Sequence, residues 1–386
     1  MRIAVDSWTL ASRFRCQGTY VYTQNLLREF KKLASKETAV QFSLFASSRN
    51  GNDAIRIAPG NGFELCSAAL LDHDRLWRFG GAGLSASRTH ADVIFIPTSA
   101  TLPIGPVPAV CTIHDVTPIT MPSHSAGVGA MQRVLLKACA RFSHAIITSS
   151  ECSKRDIVTH LGVPEEKVVV IHDGCDQSLF NADPPDMTTL AALRARLGIN
   201  KPYVLHHGTI QPRKNLKRLI DAFRLMLASN PDLDFDLVLA GRRGWAYGEI
   251  ISVAAESNGR GRVILTGILD DSDLALLIKG ASLAIVPSLY EGFSLPMVEA
   301  MACGVPTVAS NTSCLPEISG NTLAYFDPFS SEEMAVCMQT VLRSCELQLR
   351  LSQDGVARSR EFTWERCARQ TLDVLIAAGE GRPQLK

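Results

Sequence analysis

The chain has 386 residues, of which 46% are hydrophobic and 20% are charged, and its formal net charge is +1. This length predicts about two domains, and the composition is typical of globular proteins with buried sheets. Basic and acidic residues number 18 and 16 up to Pro185 and 21 and 22 after it, which argues against a nucleic-acid-binding protein, whose basic surface would unbalance these totals.

The first half of the chain alternates short apolar strands with amphipathic helices. The predicted strands are Arg2–Val5, Val40–Phe45, Val93–Ile96, Val107–Ile113, Ala145–Thr148 and Val168–Ile171. The predicted helices are Tyr20–Leu33, Val128–Phe142 and Ser153–His160. Because near-continuous apolar strands are covered on both faces, this alternation predicts a parallel sheet of βα units.

A stretch rich in Pro and Asp, Asp176–Asp186, has the composition of a linker, and the alternation resumes after it. The predicted strands are Tyr203–His207, Phe235–Ala240, Val263–Thr266, Leu283–Val286 and Thr307–Ala309. The predicted helices are Leu216–Leu227, Asp271–Lys279, Pro296–Ala302, Ser331–Ser344 and Thr363–Ala378. We expect an α/β protein of two doubly wound, Rossmann-like domains, residues 1–182 and 190–363, facing each other across a cleft. The final helix, about 364–386, is compatible with packing back on the first domain.

Polar residues and glycines follow many of these strands. They are Asp6 with the Gly18 loop, His114-Asp115, Ser149–Glu151, Gly208–Asn215, Gly241–Gly244 and Glu291–Leu295. Since doubly wound sheets bind ligands beyond the carboxyl ends of their strands, these are the candidate site residues.

The segment His206–Phe223, HHGTIQPRKNLKRLIDAF, predicts a strand, a glycine turn and a helix start with two cations. Arg213 and Lys214 near free backbone N–H groups suit a phosphate or diphosphate. The alternative is a solvated helix start with surface cations. Asn215 is the expected N-cap residue of the helix, which is a structural role.

Two glutamates, Glu291 and Glu299, flank the turn Gly292–Leu295 in YEGFSLPMVEAMACG. Pro296 is expected at the first helical position, and the N–H groups of the turn can form an anion-binding nest. Glu299 is expected in the first helical turn, where the helix dipole favours a carboxylate on structural grounds alone. Carboxylates also accept bidentate hydrogen bonds from vicinal diols. Cations and two carboxylates together fit a nucleotide sugar.

Other signals leave alternatives open. His114 and Asp115, in TIHDVTP, are either a hydrogen-bonded core pair or part of a site. The acidic triplets Asp72-His-Asp74 and Asp232-Leu-Asp234-Phe-Asp236 suggest a metal, but the first lies in a polar loop and the second leads into a buried strand. The basic stripe, Arg133, Lys137 and Arg141, is either a solvated face or a face against anionic lipid.

The expected location follows from the chain start and the cysteines. Met1–Asp6 runs straight into a strand without the regions of a signal peptide, and no stretch approaches the roughly 18 apolar residues that span a bilayer. The eleven cysteines include no C-x-x-C pair. We therefore expect reduced thiols in a cytoplasmic protein, without disulfides or a zinc site.

The two motifs together resemble glycosyltransferase family 4, the retaining enzymes of GT-B fold. The likeness rests on Glu291 and Glu299 within PSLYEGFSLPMVEAMACGVPTVAS and on GTIQPRKN. The stretches TIHDVTP, SSECSKRDI, LAGRRGW, LTGILDDSDL and LPEISGNTLAYFDP resemble bacterial members that add mannose or a similar hexose to surface polysaccharides.

This resemblance implies roles for individual residues. His114, Lys214 and Glu291 would be catalytic, and Gly18, Asp115, Gly208, Thr209, Arg213, Lys214, Gly292, Phe293, Ser294, Leu295 and Glu299 would bind the donor. Glu299 would hold the ribose and Glu291 the sugar hydroxyls. Lys214, with Arg213, would neutralise the diphosphate, while His114 lies beside the hexose and the Gly18 loop closes over the phosphates.

The chain also departs from the family pattern. Many members have a second glycine beside the one that matches Gly18, and a glycine where Ser294 stands. Many have an arginine where Thr209 stands, so Arg213 or Arg242 would have to supply that charge.

The expected activity is a metal-independent transfer of a hexose, with mannose from GDP-mannose as the leading donor, to a glycan or lipid-linked oligosaccharide. The alternatives are a UDP-sugar donor, an epimerase or phosphorylase of the same fold, and a two-lobed sugar-binding protein. We expect no cofactor and no nucleic-acid partner. Peripheral contact with the inner face of the cytoplasmic membrane would use Arg133, Lys137 and Arg141.

Overall fold

The computed structural model describes residues 1–10, 18–36, 40–46, 62–67, 76–121, 129–256 and 261–382. The chain divides into two compact units. The first unit consists of Met1–Gly174 and Trp364–Lys386, and the second of Cys175–Thr363. Each unit contains one parallel sheet with helices packed on it.

The strands follow the apolar runs of the sequence. In the first unit they are β1 Arg2–Asp6, β2 Gln41–Ala46, β3 Phe63–Ser67, β4 Val93–Ile96, β5 Ala109–Thr112, β6 Ala145–Thr148 and β7 Val168–Val170. Their order is β3-β2-β1-β4-β5-β6-β7. In the second unit they are β8 Tyr203–His207, β9 Asp236–Ala240, β10 Val263–Gly267, β11 Leu283–Val286, β12 Thr307–Ser310 and β13 Ala324–Phe326. Their order is β10-β9-β8-β11-β12-β13.

The helices of the described residues connect these strands. They are α1 Gly18–Lys36, α2 Ala82–Arg88, α3 Thr117–Thr120, α4 Gly129–Phe142, α5 Glu151–Leu161, α6 Met187–Leu197, α7 Leu216–Ser229, α8 Tyr247–Ala255, α9 Asp271–Lys279, α10 Leu295–Ala302, α11 Leu315–Ser319, α12 Ser331–Arg343, α13 Cys345–Ser359 and α14 Trp364–Gly379. The last helix packs against α1 and strands β4 to β6 of the first unit.

Each sheet buries its apolar side chains under these helices. In the first unit Ile94 and Ile146 of the sheet pack with Leu136 of α4. In the second unit Ile285 of the sheet packs with Phe223 of α7 and with α12. Burial of this kind contributes about 25 cal/mol per Å² of apolar surface, so these layers hold the strand ends in place.

The segment Asp176–Asp186 is an ordered part of the second unit. The N–H of Cys175, just before it, donates to the carbonyl of Phe362 at 3.0 Å, and Gln177 donates to the carbonyl of Ser359 at 3.1 Å. Asp186 caps α6 by accepting hydrogen bonds from the backbone N–H groups of the first turn. The Pro and Asp content of this segment therefore reflects turns and a helix cap.

Asn215 is the N-cap residue of α7, as expected, but its side chain makes no capping hydrogen bond with the first turn. Its backbone is left-handed, with φ +57°. The side chain instead donates to the carbonyl of Pro328 at 2.7 Å and accepts from Arg218 at 2.9 Å. These bonds tie the start of α7 to the loop before α12.

The second acidic triplet has local cationic partners. Asp232, Asp234 and Asp236 pair with Arg343, Lys201 and Arg262 at 2.6, 2.7 and 2.7 Å. The first triplet, Asp72 to Asp74, lies outside the described residues. The ten cysteines that the structure describes are free thiols. Within the described part of the chain, no helix has both the length and the apolar character needed to cross a membrane.

Candidate active site

The second sheet reverses its strand order at the boundary between β8 and β11. The chain passes from β8 to β9 on one side, while β11 pairs with β8 on the other. The segments that leave the carboxyl ends of β8 and β11 are therefore brought side by side. Ligands of doubly wound sheets bind at such a point.

Glu291 is held by two cations at this edge. Its Oε1 lies 2.5 Å from Nζ of Lys214, and its Oε2 lies 2.7 Å from Nη1 of Arg213. The guanidinium of Arg213 also donates to the carbonyl of Tyr290. The N–H of Leu289 donates in turn to the carbonyl of Arg213 at 2.9 Å. The two segments thus form one hydrogen-bonded unit.

Burial and charge act against each other in this cluster. Only 6% of the Glu291 side chain and 7% of the Lys214 side chain are exposed. Burial by itself would raise the pKa of Glu291, but Arg213 and Lys214 lower it to about 2. Burial lowers the pKa of Lys214, and Glu291 opposes that effect. The carboxyl is therefore an anion that its cations hold in place.

Ser313 fixes the backbone of Glu291, whereas Arg213 and Lys214 hold its side chain. Its Oγ donates to the carbonyl of Glu291 at 2.6 Å and accepts from the N–H of Glu291 at 3.1 Å. Ser313 is not among the candidate residues expected from the sequence. Ser313 follows β12, so the same strand-end rule that selected Glu291 would have found it.

The turn between β11 and α10 presents the start of a helix. Ser294 precedes α10 with a left-handed backbone, φ +75°, and its buried hydroxyl has no hydrogen-bond partner among the described residues. Leu295 is the first helical residue and Pro296 the second, rather than the first as expected. Phe293 is buried against Phe362 at 5.4 Å between ring centroids. The positive end of the α10 dipole lies at this turn, so the turn is the part suited to an anion.

Glu299 lies in the second turn of α10, so the expectation that it lies in the first turn is wrong. The helix dipole acts mainly on the terminal turn and accounts less well for a carboxylate here. Oε2 of Glu299 lies 3.0 Å from Nε2 of His207, at the end of β8. His207 is not among the candidate residues expected from the sequence, although it stands directly before Gly208.

Gly208 has a φ of +134°, a backbone conformation that residues with a side chain rarely adopt. A Cβ there would make ordinary contacts with Cγ of Pro296 at 3.7 Å and Cε of Lys214 at 3.8 Å, so the backbone and not the space favours glycine. A Cβ on Gly241 would lie 2.0 Å from the carbonyl oxygen of Gly208. Thr209 is half-buried, and the N–H of Ile210 beside it donates to the carbonyl of Arg242 at 2.9 Å. The backbone of Arg242 therefore lies next to this turn.

His206 is a buried, neutral histidine under the same edge. Its Nδ1 lies 3.1 Å from the carbonyl of Ile285, and its Nε2 has no partner among the described residues. Burial, with Lys214 nearby, lowers its pKa to about 3.

His114 and Asp115 follow β5 in the first unit. The ring of His114 meets the ring of Tyr22 edge-on at 4.7 Å, and it hydrogen-bonds the backbone of Pro97. Its Nε2 is shielded and has no partner among the described residues, and burial lowers its pKa. The neutral ring thus offers a hydrogen-bond acceptor. Asp115 accepts from the N–H of Thr117 at 2.9 Å, a bond that shapes the start of α3.

Gly18 is the exposed first residue of α1, and most of the loop before it lies outside the described residues. A Cβ on Gly18 would meet no described atom within 4 Å. Packing with the described residues therefore does not require a glycine at this position. Asp6 and Ser150, two other strand-end candidates, have structural partners, because Asp6 accepts from the indole of Trp77 at 2.9 Å and Ser150 caps α5.

The structure thus distributes the expected residues between the two units. The second unit brings together Gly208, Thr209, Arg213, Lys214, Glu291, Gly292, Phe293, Ser294, Leu295 and Glu299 at one sheet edge. The first unit holds Gly18, His114 and Asp115.

Both units match known families. Residues 17–179 match the family described as Glycosyltransferase Family 4, and residues 191–358 match the family described as Glycosyl transferases group 1. Together these two glycosyltransferase models cover most of the chain. The family resemblance read from the sequence motifs is therefore confirmed.

Two mannosyltransferases of Escherichia coli resemble the chain at moderate identity. O-antigen chain mannosyltransferase B of Escherichia coli is 29% identical over 291 residues, which are 75% of each chain. The serotype-specific mannosyltransferase WbdA of Escherichia coli is 28% identical over 71% of this chain, and the match spans only 34% of WbdA. The chain is accordingly a glycosyltransferase.

Solved structures establish the fold class. Alr3699/HepE of Anabaena, solved in complex with UDP-glucose, has a TM-score of 0.74 at 21% identity and covers 98% of this chain and all of its own. The expected two-domain α/β fold of GT-B type is confirmed.

Proposed function

We propose that this glycosyltransferase is a retaining hexosyltransferase that moves mannose from GDP-mannose to a glycan or lipid-linked oligosaccharide in surface polysaccharide synthesis. The mannosyltransferases of Escherichia coli named above support the choice of sugar. The observation that carries the proposal is the buried cluster of Arg213, Lys214 and Glu291 beside the start of α10.

The cluster suits a sugar diphosphate for a physical reason. Without a donor, Glu291 is the anion that Arg213 and Lys214 hold. An arriving diphosphate brings at least two negative charges, and the N–H groups at the start of α10 supply further positive potential. We propose that the diphosphate takes over the cations, which allows Glu291 to accept hydrogen bonds from the sugar hydroxyls.

The chemical step then follows from where charge develops. As the bond from the anomeric carbon to the diphosphate breaks, its oxygen gains negative charge and the sugar becomes oxocarbenium-like. Lys214 would meet that charge more strongly in the transition state than in the ground state, which raises kcat. The acceptor hydroxyl oxygen would bond to the anomeric carbon on the face that the diphosphate leaves, and the departing diphosphate would take the hydroxyl proton. The configuration would thus be retained without a covalent glycosyl-enzyme. His114, as a neutral acceptor, would orient the sugar rather than act as general base.

A donor panel tests the proposal. Release of nucleoside diphosphate is followed with GDP-mannose, UDP-glucose and other nucleotide sugars, with and without glycan acceptors. GDP-mannose is expected to give the highest kcat/KM, with an α-linked product. A UDP-sugar is the alternative donor, and a clear preference for it would overturn the choice of GDP-mannose. Binding of a sugar without any turnover would favour a sugar-binding protein instead.

A trapping experiment tests the mechanism separately. Enzyme quenched during turnover without acceptor is expected to show no mass increase. A hexosyl adduct on Glu291 or Asp115, found by mass spectrometry, would overturn the proposed mechanism while leaving the activity standing.

A lipid-linked acceptor would bring the enzyme to a membrane surface, and α4 has a suitable face. Lys137 and Arg141 are exposed on it and Arg133 is half-buried. Met131, Val134 and Phe142 are 47%, 61% and 53% exposed on the same helix. Basic and apolar side chains that share the outer face of a helix are typical of an interface with anionic lipid. We therefore propose peripheral membrane contact through α4.

A further inference from the structure

His207 holds one of the two oxygens of Glu299. Nε2 of His207 lies 3.0 Å from Oε2 of Glu299, and the side chains are 5% and 16% exposed. Oε1 of Glu299 has no hydrogen-bond partner among the described residues. The carboxylate is thus oriented by one protein contact and offers its second oxygen for another.

The two partners differ in how firmly their backbones hold them. His207 is the last residue of β8 and pairs with Ala240 of β9 inside the sheet, and its own side chain is buried. Glu299 reaches it from α10 through a longer side chain. A glutamate side chain loses rotamer freedom when it is fixed, and this loss opposes binding. The rigidly placed imidazole holds the Glu299 side chain in one rotamer before a ligand arrives. The ligand then binds without the entropic cost of ordering that side chain.

From this geometry we infer that His207 is a positioning residue that presents Oε1 of Glu299 to the 2′,3′-diol of a ribose. The inference rests on the proposed function, in which Glu299 meets the ribose of the nucleotide donor. Its specific consequence is discrimination, because a 2′-deoxyribose lacks one of the hydroxyls that an oriented carboxylate would accept. Without His207, the Glu299 side chain would sample several rotamers. The protein would then lose most of its preference for ribose over 2′-deoxyribose.

Equilibrium binding measures this preference without turnover. GDP and UDP are each titrated against their 2′-deoxy forms by calorimetry. A single hydrogen bond to a charged acceptor corresponds to about a tenfold difference in affinity, so the wild-type protein is expected to prefer each ribonucleotide by about tenfold.

Two variants of matched chemistry isolate the role of His207. In His207→Gln the amide nitrogen reaches the position of Nε2, and the tenfold preference is expected to persist. In His207→Asn the side chain is one methylene shorter and cannot reach Glu299, so affinity for the ribonucleotide is expected to fall to that of the 2′-deoxy form. His207→Leu provides a second loss variant without a polar group.

The possible outcomes separate this inference from the proposed function. Equal weakening of both nucleotides in His207→Asn and His207→Leu would show a merely structural role and would overturn the inference. So would an unchanged preference in either of them. If the wild-type protein binds no nucleoside diphosphate, the proposed function falls together with the inference. Retention in His207→Gln and loss in His207→Asn supports both.

Discussion

Nζ of Lys214 lies 2.5 Å from Oε1 of Glu291, and both side chains are almost wholly buried. Removing the ammonium leaves Arg213 as the cation that pairs with the carboxylate. It also takes away a charge that, in our proposal, meets the leaving diphosphate. The ion pair therefore stabilises the folded site. In our proposal it also places the Lys214 ammonium for catalysis before the donor binds.

Replacing Lys214 by Met is expected to reduce kcat by about 10²-fold, which corresponds to about 3 kcal/mol of lost transition-state stabilisation. Steady-state kinetics with the best donor of the panel measure this loss. Lys217→Met is the matched control, because Lys217 is exposed and pairs with Glu249 on the surface. A near-normal kcat in Lys214→Met would remove Lys214 from the proposed mechanism.

Replacing Glu299 by Ala is expected to raise the KM for the donor by about tenfold and to change kcat little. Contacts with ribose are similar in the ground and transition states, so their loss appears in binding. Glu249→Ala, an exposed carboxylate of the same unit, serves as the control. A large fall in kcat at unchanged KM would contradict the ribose role.

Release of nucleoside diphosphate is expected to continue in the presence of EDTA. The positive charge that meets the diphosphate is supplied, in our proposal, by Lys214, Arg213 and the start of α10. Activity is compared after dialysis against EDTA, with and without added Mn²⁺. Activity that is lost to the chelator and restored by the metal would disprove this expectation.

The enzyme is expected to sediment with anionic vesicles at low salt and to be released as salt rises. Reversing the charges of Arg133, Lys137 and Arg141 to Glu is expected to abolish sedimentation. The control variant reverses the charges of three exposed residues of the second unit, Lys217, Arg350 and Arg360. Equal sedimentation of both variants would argue against contact through α4.

Asp173 is expected to make the first unit less stable as pH rises. Burial raises its pKa from 3.8 to about 7. Between these values the folded state keeps a proton that the unfolded chain has released, so the free energy of unfolding falls with pH. The loss is complete above pH 7 and is on the order of 4 kcal/mol.

Asp173→Asn removes this titration. Thermal unfolding is expected to occur several degrees higher than in the wild-type protein at pH 8, with little difference at pH 4. Asp183→Asn, at an exposed position, is the control. A variant whose unfolding temperature differs from that of the wild-type protein by the same amount at both pH values would contradict the assignment.

Strongly apolar strands could be predicted from the sequence, whereas marginal elements could not. Val93–Ile96 and Leu283–Val286 lie where the analysis expected them, because an uninterrupted apolar run is a direct signal of a buried strand. Phe63–Ser67 was not predicted, because its sequence has no uninterrupted apolar run. It is an edge strand in which Glu64 and Leu65 are exposed, so it does not need such a run. Helix Met187–Leu197 was missed because the residues before it suggested a linker.

The residues that gather at the sheet edge could be predicted from the sequence, but the contacts between their side chains could not. The strand-end rule selected both Lys214 and Glu291, yet they are 77 residues apart, and their contact depends on β8 pairing with β11. The bond between His207 and Glu299 depends on the same pairing together with the rotation of α10. No local pattern specifies either, because tertiary register decides which strand-end side chains meet.

Ser294 holds a left-handed backbone that glycine would adopt without strain. A residue with a side chain costs on the order of 1 kcal/mol there, and the serine hydroxyl gains no hydrogen bond within the described residues to offset it. The turn thus keeps a less stable residue directly before α10, where our proposal places the diphosphate of the donor. Such a position is a natural first target for directed evolution toward other nucleotide sugars. Ser294→Gly is expected to raise the free energy of unfolding. This gain can offset the destabilisation caused by other substitutions in the donor site.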